Sequence, residues 1–204
     1  MARPHELTSE PRWPTEPGPA DDTGRTLVVA AASDSAAHAA AAGWRRDALA
    51  AGVTVIEVRG GLGAAGGDAA RADGEAVRIA ERLSVVLDGA TAATRLAVAG
   101  SEALLGRVTA AALRAGLRPT EIAGVRTVTG PRLVRCTHCR TLTPTTAEVG
   151  ERQACQGCGV PLEVFHHYSP RIGAYMGFHA DAEELGADGA AAHERPAPEQ
   201  ELAA

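Results

Sequence analysis

The stretch Cys136-Thr137-His138-Cys139, separated by fifteen residues from Cys155-Gln156-Gly157-Cys158, decides how this chain folds. It holds all 4 cysteines of the 204 residues. Each C-x2-C turn presents two sulfurs to one ion, and two such turns complete a tetrahedron. The spacing therefore predicts a closed four-cysteine metal site with Cys136, Cys139, Cys155 and Cys158 as ligands.

The identity of the metal is left open by this pattern, because zinc and iron both accept four sulfurs in a tetrahedron. Zinc would make the site structural, whereas iron would make a one-electron carrier of the rubredoxin kind. The loop between the two knuckles is short for a rubredoxin, which favours zinc. The first residues lack the apolar region of a signal peptide, which argues against two disulfides.

Composition excludes several other functions. The formal net charge is −5, and the chain contains no lysine, so neither Schiff-base chemistry nor a P-loop lysine is available. The acidic balance gives no reason to bind nucleic acid or an anionic membrane. No apolar run approaches the roughly 20 residues of a membrane-spanning helix. We therefore expect a cytoplasmic protein.

Residues 25–129 read as a small Rossmann-like α/β domain, because predicted strands alternate with predicted helices and so imply a parallel sheet covered on both sides. Ser33 or Asp34 is expected to cap the first helix, and Ser101 the third. The second helix is expected to start at Gly74 and to bury Val77, Ala80, Leu83 and Leu87. The predicted strands are Thr26–Ala30, Val53–Val58, Arg95–Ala99 and Glu121–Val128.

Nucleotide binding by this domain is not expected. A phosphate cradle needs a glycine-rich turn after the first strand, so that backbone N–H groups can reach the pyrophosphate. The corresponding turn, Ala31 to Ser35, has no glycine and contains the negatively charged Asp34. The glycines from Gly60 to Gly67 follow the second strand and are interpreted as a flexible surface loop. We predict a scaffold that does not bind NAD(P).

The remaining segments differ in composition. Residues 1–24 carry five prolines and predict a disordered arm, with Trp13 docking loosely on the domain. Residues 130–178 form the predicted zinc-ribbon or rubredoxin-like β module, in which Thr141–Gly150 is a polar linking loop. Residues 179–204 are acidic and alanine-rich, and predict a disordered tail.

Most of the chain's aromatic residues follow the second knuckle, as part of the run from Phe165 to Phe178. Two interpretations stay open: the rings form the core of the small module, or they form an exposed patch that docks a partner. The candidate docking residues are Phe165, His166, His167, Tyr168, Tyr175 and Phe178. Ligation of the metal by the two histidines is not expected, since four cysteines already complete a tetrahedron.

The C-terminal stretch, C-Q-G-C-G followed by His166-His167-Tyr168-Ser169 and then Gly173-Ala174-Tyr175-Met176-Gly177-Phe178, resembles the C-terminal domain of the DmmA-like subunit of dimethylamine monooxygenase. More weakly, Leu96 to Ser101 resembles the nicotinamide half of ferredoxin reductases, with Ala99 and Ser101 replacing the cysteine and proline of their C-G-P turn. The resemblance implies a multi-subunit enzyme that oxidatively demethylates a secondary amine. Its other chains would be a haem-containing demethylase-like subunit, a flavin and iron–sulfur reductase, and a folate-binding subunit.

Three functions follow from these observations. The first is an accessory subunit of such a monooxygenase, giving structural or electron-transfer support without catalytic residues of its own. The second is an autonomous rubredoxin-like carrier with iron in the four-cysteine site. The third, a zinc-ribbon nucleic-acid binder, conflicts with the acidic balance and with the sparse basic cluster of Arg126, Arg132, Arg135 and Arg140.

Overall fold

Two β-sheets organise the chain in the computed structural model, which describes residues 9–16, 18, 25–60 and 68–182. The first sheet is parallel and has four strands, and the second is mixed and has five. The predicted α/β domain followed by a C-terminal β region is confirmed. The strands of the first sheet are β1 (Thr26–Ala31), β2 (Thr54–Arg59), β3 (Thr94–Gly100) and β4 (Ile122–Arg126).

The parallel sheet has the strand order β2-β1-β3-β4. Its helices are α1 (Ser35–Ala50), α2 (Asp68–Asp88) and α3 (Glu102–Arg114). The connection from β1 to β2 runs towards one edge of the sheet, whereas those from β2 to β3 and from β3 to β4 run towards the other. Because each crossover is right-handed, α1 lies on one face of the sheet and α2 and α3 lie on the other. The central strands are buried on both sides, which explains their nearly continuous apolar sequence.

The helix caps follow the sequence prediction. The Asp34 carboxylate accepts from the N–H of Ala37 at 2.8 Å, and the Ser101 hydroxyl accepts from the N–H of Leu104 at 3.4 Å. Helix α2 differs from the prediction, since it begins at Asp68. Its fully buried face is Ala76, Ile79, Leu83 and Leu87. Val77 and Ala80, predicted on that face, are only half-buried because the helix is rotated slightly from the expected orientation.

Helix α3 is the central element of the structure. It packs on β3 and β4 of its own sheet, on α2, and on two strands of the second sheet, β5 (Arg132–Cys136) and β9 (Ala174–His179). Nearly every residue from Glu102 to Ala112 is therefore buried, as expected for a helix surrounded by protein. None of the described helices is long and apolar enough to cross a membrane.

The second sheet has the order β6-β5-β9-β8-β7, with β6 (Leu142–Thr145), β7 (Arg152–Ala154) and β8 (Pro161–Ser169) completing it. The predicted linking loop Thr141–Gly150 thus contains a strand. Pro144 is tolerated there because β6 is an edge strand, where a missing N–H costs no ladder bond. The strand predicted to leave the second knuckle at Leu162–Phe165 extends to Ser169, and β9 was not predicted at all.

The prediction of a disordered arm does not hold for residues 9–16, which pack against both sheets. Trp13 contacts the apolar core of each domain, the Pro14 carbonyl accepts from the N–H of Arg126 at 2.7 Å, and the Ser9 hydroxyl accepts from the N–H of Tyr168 at 2.8 Å. Burial of the Trp13 ring and the two hydrogen bonds hold this segment in place, although its prolines disfavour helix and strand. The described residues leave out 1–8, 17 and 19–24 of the arm, the loop at 61–67 and the acidic tail from 183 onward.

Candidate metal centre

The four cysteine sulfurs converge on one point. All four Sγ atoms lie within 4.8 Å of one another, with Cys136 and Cys158 at 3.8 Å and Cys139 and Cys155 at 3.5 Å. A tetrahedron with Zn–S bonds of about 2.3 Å has edges of about 3.8 Å. Disulfide sulfurs would be bonded at about 2.05 Å, so these are free thiols with the spacing of a metal site.

The two knuckles repeat the same backbone geometry. The N–H groups of Arg140 and Gly159 donate to the carbonyls of Cys136 and Cys155, each at 2.9 Å. Both donors adopt positive φ, 67° at Arg140 and 73° at Gly159. Glycine adopts this conformation freely, whereas arginine does so at a cost. The repeat explains why two short C-x2-C segments can supply equivalent pairs of sulfurs.

Backbone and hydroxyl groups surround the sulfurs. The N–H of Cys139 points at Cys136 Sγ at 3.5 Å, and the N–H of Gly157 points at Cys155 Sγ at 3.4 Å. The Thr141 hydroxyl lies 3.3 Å from Cys139 Sγ and can donate to it once the thiol is ionised. Thr141 was not predicted as part of the site, and its position in a polar loop gave no signal for it.

These contacts separate the pKa values of the thiols. The Thr141 hydroxyl, followed by the Thr141 N–H, lowers the pKa of Cys139 to about 6. Burial would raise the pKa of Cys155, but the N–H groups of Cys158 and Gly157 outweigh it and the pKa is lowered. The N–H of Val160 acts to lower the pKa of Cys158, yet burial and the neighbouring thiols raise it to about 12. A divalent ion at the centre would allow all four thiolates to coexist.

The site has a buried and an exposed side. Cys136 and Cys155 are buried in the core of the second sheet, whereas Cys158 is exposed and Cys139 is half-exposed. Four thiolates at these distances can hold zinc or iron, and a closed set of four leaves no open position for a substrate.

A bulge in β8 determines where the aromatic residues lie. The pairing of β8 with β9 shifts register between Val164 and Tyr168, so the usual alternation of faces is interrupted. As a result, three consecutive rings come together: Phe165 lies 4.1 Å from His166 and 5.3 Å from His167, measured between ring centroids. Phe178 of β9 joins them at 5.2 Å from Phe165.

The candidate docking residues divide into two groups. Phe165, His166, His167 and Phe178 form a stack that is half-buried to exposed, with Phe178 at 42% exposure; we call these four residues the ring patch. Tyr168 and Tyr175, predicted as docking residues, are instead core residues, 8% and 4% exposed and in edge-to-face contact at 5.2 Å. The bulge returns Tyr168 to the inner face, where it meets Tyr175 of β9.

The carboxyl ends of β1 and β3, where open α/β sheets bind ligands, are filled by the chain itself. Thr127 donates to Asp34 at 3.2 Å, on the oxygen that does not cap α1. At the start of α3, the N–H of Ala103 donates to the Pro131 carbonyl at 2.9 Å. The Ala103 N–H, which could otherwise reach a phosphate, is therefore engaged by the linker between the two domains.

Comparison with known proteins gave two matches. Residues 133–178 match the family model for the C-terminal domain of the dimethylamine monooxygenase subunit DmmA-like. The chain is 42% identical over 102 residues to the heme-dependent oxidative N-demethylase delta subunit of Ectopseudomonas mendocina (strain ymp). That alignment covers 50% of this chain and 57% of the relative, so the chain spans little more than half of the relative's length. No solved structure matches. The resemblance of the C-terminal segment to DmmA-like subunits is confirmed.

Proposed function

We propose that this protein is an accessory subunit of a multi-component amine monooxygenase of the dimethylamine type. It would supply structural or electron-transfer support through a four-cysteine metal site and would carry no catalytic residues. Its partners would be a haem-containing demethylase-like subunit, a flavin and iron–sulfur reductase and a folate-binding subunit, all in the cytoplasm.

The observation that carries this proposal is the sulfur cluster inside the matched segment. The two knuckles, the ring patch and the core tyrosines all lie within or next to residues 133–178. The relative is named as one subunit of a haem-dependent enzyme, which supports a role inside an assembly. A closed set of four thiolates supports a structural ion, and zinc is the metal we propose.

A rubredoxin-like carrier is the second candidate, and the exposure of Cys158 favours it. A ligand at the surface brings an iron centre within reach of a redox partner. Elemental analysis and voltammetry of the purified protein separate the two: one zinc per chain and no redox wave supports the structural role. One iron per chain with a reversible one-electron wave would replace it with the carrier.

The α/β domain is proposed to act as a scaffold that does not bind NAD(P). The engagement of Asp34 by Thr127, and of the α3 N-terminus by Pro131, supports this. A calorimetric titration of the full chain with NADH and NADPH is expected to show no binding at micromolar ligand. A dissociation constant in the low micromolar range would contradict the scaffold role.

The ring patch is proposed as the surface that contacts another subunit. Phe178 adjoins the first knuckle, since the carbonyl of its neighbour Gly177 accepts from both the N–H and the hydroxyl of Thr137, each at 3.0 Å. Large rings contribute the most binding per ordered side chain. Val85 on α2, which is 74% exposed, offers a matched control.

Coexpression with the candidate partner subunits tests the assembly. The wild-type chain and Val85→Ala are expected to copurify with them, whereas Phe178→Ala should reduce recovery at least about tenfold while metal content stays at one ion per chain. If the wild-type chain remains alone, the accessory-subunit proposal is wrong. If Phe178→Ala copurifies like Val85→Ala, the subunit role stands and the ring patch is not the contact surface.

A further inference from the structure

A cleft of about 640 Å³ lies between the two domains, at the end of α3 remote from Ser101. One wall is formed by the last turn of α3 and the residues after it, including Leu113, Leu117 and Pro119, and the other by the turn from Tyr168 to Arg171 that joins β8 to β9. Clefts of roughly 300–1,000 Å³ with mainly apolar walls are the usual size for small organic ligands.

Two guanidinium groups line this cleft, one from each domain. Arg171 makes no hydrogen bond or ion pair with any residue the structure describes, and it is exposed. Arg118 donates to Glu121 at 2.7 Å, but the Glu121 carboxylate is shared with Arg95 at 3.2 Å. Because a guanidinium has five N–H donors, Arg118 retains donors for a ligand. Guanidinium groups bind carboxylates and phosphates through bidentate hydrogen bonds.

Tyr168 lines the cleft and is only 8% exposed. Its hydroxyl lies against Gly106 of α3, where an added Cβ would be 3.1 Å from it, so it points away from Arg118 and Arg171, about two helical turns from Leu113. The body of Tyr168 therefore extends the apolar wall, and the two guanidinium groups are the charged groups that line the cleft.

From these features we propose that the cleft binds a small amphipathic anion: a flat or aliphatic apolar body between Leu113, Leu117 and Pro119, with a carboxylate, sulfonate or phosphate group between Arg118 and Arg171. Such a ligand would touch both domains at once. Its binding would therefore stabilise their association, since a ligand that binds only the docked form shifts the equilibrium toward it.

Fluorescence titration with anilinonaphthalene sulfonate, an aromatic body with one sulfonate, tests the proposal on the full-length, metal-loaded chain. Saturable binding is expected in the wild type, about tenfold weaker binding in the double variant Arg118→Ala, Arg171→Ala, and wild-type binding in Arg46→Ala, whose arginine is exposed on α1. Uncharged phenylnaphthylamine has the same apolar body and should bind the wild type and the double variant equally.

Filling the cleft provides an independent readout. Leu113 is half-buried, so Leu113→Trp can project into the cleft with the fold retained, as circular dichroism will verify. This variant should lose both probes. If the sulfonate binds the double arginine variant as tightly as the wild type, the cleft does not select anions and the proposal is wrong. If Leu113→Trp binds both probes normally, they bind elsewhere and the proposal is equally wrong.

Discussion

The two domains of this chain are held together by different means. The α/β domain buries twenty-six apolar residues in one cluster, mostly alanine, valine and leucine, among the residues described. The corresponding cluster of the C-terminal sheet has seven, and two of these are the candidate metal ligands Cys136 and Cys155. The first domain derives its stability from burial, whereas the second has too small a core to fold without additional constraints.

A core this small explains why the C-terminal sheet would depend on a metal. An ion held by the four cysteines would compensate for it, together with the contact with α3. The α/β domain has no such dependence. Each of the following predictions tests whether the two regions respond separately.

Removal of the metal should have the largest effect. Binding at structural zinc sites is worth on the order of 10–16 kcal/mol, so Cys139→Ser should unfold residues 130–178 and leave β1–β3 and α1 folded. Hydrogen exchange resolved by segment measures this, with Thr146→Ser, at an exposed position in the same region, as the control. Equal loss of protection in both sheets would show that the domains are one cooperative unit.

Disrupting the contact between α3 and the β8–β9 turn should have the second-largest effect on stability. A Cβ at Gly106 would overlap the backbone carbonyl of Gly173, and a Cβ at Gly173 would overlap that of Gly106. Gly106→Ala should therefore lower the free energy of unfolding by about 1–3 kcal/mol through overpacking. Gly43→Ala in α1 has open space around it and should stabilise by about 0.5–1 kcal/mol. Urea denaturation compares the two; a shift in the same direction would refute a specific close contact.

High pH should destabilise the C-terminal sheet selectively. Burial, followed by the charge of Glu102, raises the pKa of both Tyr168 and Tyr175, the only 2 tyrosines of the chain. The folded state keeps both phenols protonated, so their contribution to the free energy of unfolding is complete below the ordinary tyrosine pKa of about 10. As the pH rises above that value the contribution is lost, by about 1.4 kcal/mol per tyrosine at pH 11. Ultraviolet absorbance should show tyrosinate appearing only together with unfolding. Titration near pH 10 in the folded protein would contradict their burial.

Loss of the α1 cap should have the smallest effect and should be confined to the α/β domain. Asp34→Ala removes the bond to the Ala37 N–H and the contact with Thr127, and we expect a loss of about 1 kcal/mol. Asp47→Ala on the same helix, where the carboxylate is 67% exposed, should change the stability little. Thermal unfolding measures both, and metal content should be unaffected by either.

Local patterns predicted the parts of the structure that depend on local chemistry. The four parallel strands, both helix caps and the convergence of the cysteines follow from apolar runs, capping residues and ligand spacing. β6 and β9 were missed because Pro144 and Gly177 interrupt the strand pattern. Gly177 is required there, since a Cβ would press against Val134 and Leu162 at 2.6 and 3.0 Å.

Long-range contacts were beyond the reach of those patterns. Nothing near Trp13 indicates that its ring reaches two cores, and nothing near Tyr168 indicates that a bulge turns it inward while its neighbours His166 and His167 turn outward. Both outcomes depend on which distant surfaces the finished fold brings together.

The bond between Ser9 and Tyr168 joins residues 159 positions apart. During synthesis the arm therefore has to wait until nearly all of the folded region has left the ribosome before its partner exists. Until then Trp13 lacks half of its packing surface, and the edge of β4 that the arm later covers is open to other strands. Slow translation or a missing metal would prolong the time for which this edge is exposed. Protection of the whole chain against aggregation therefore depends on the last strands to be synthesised.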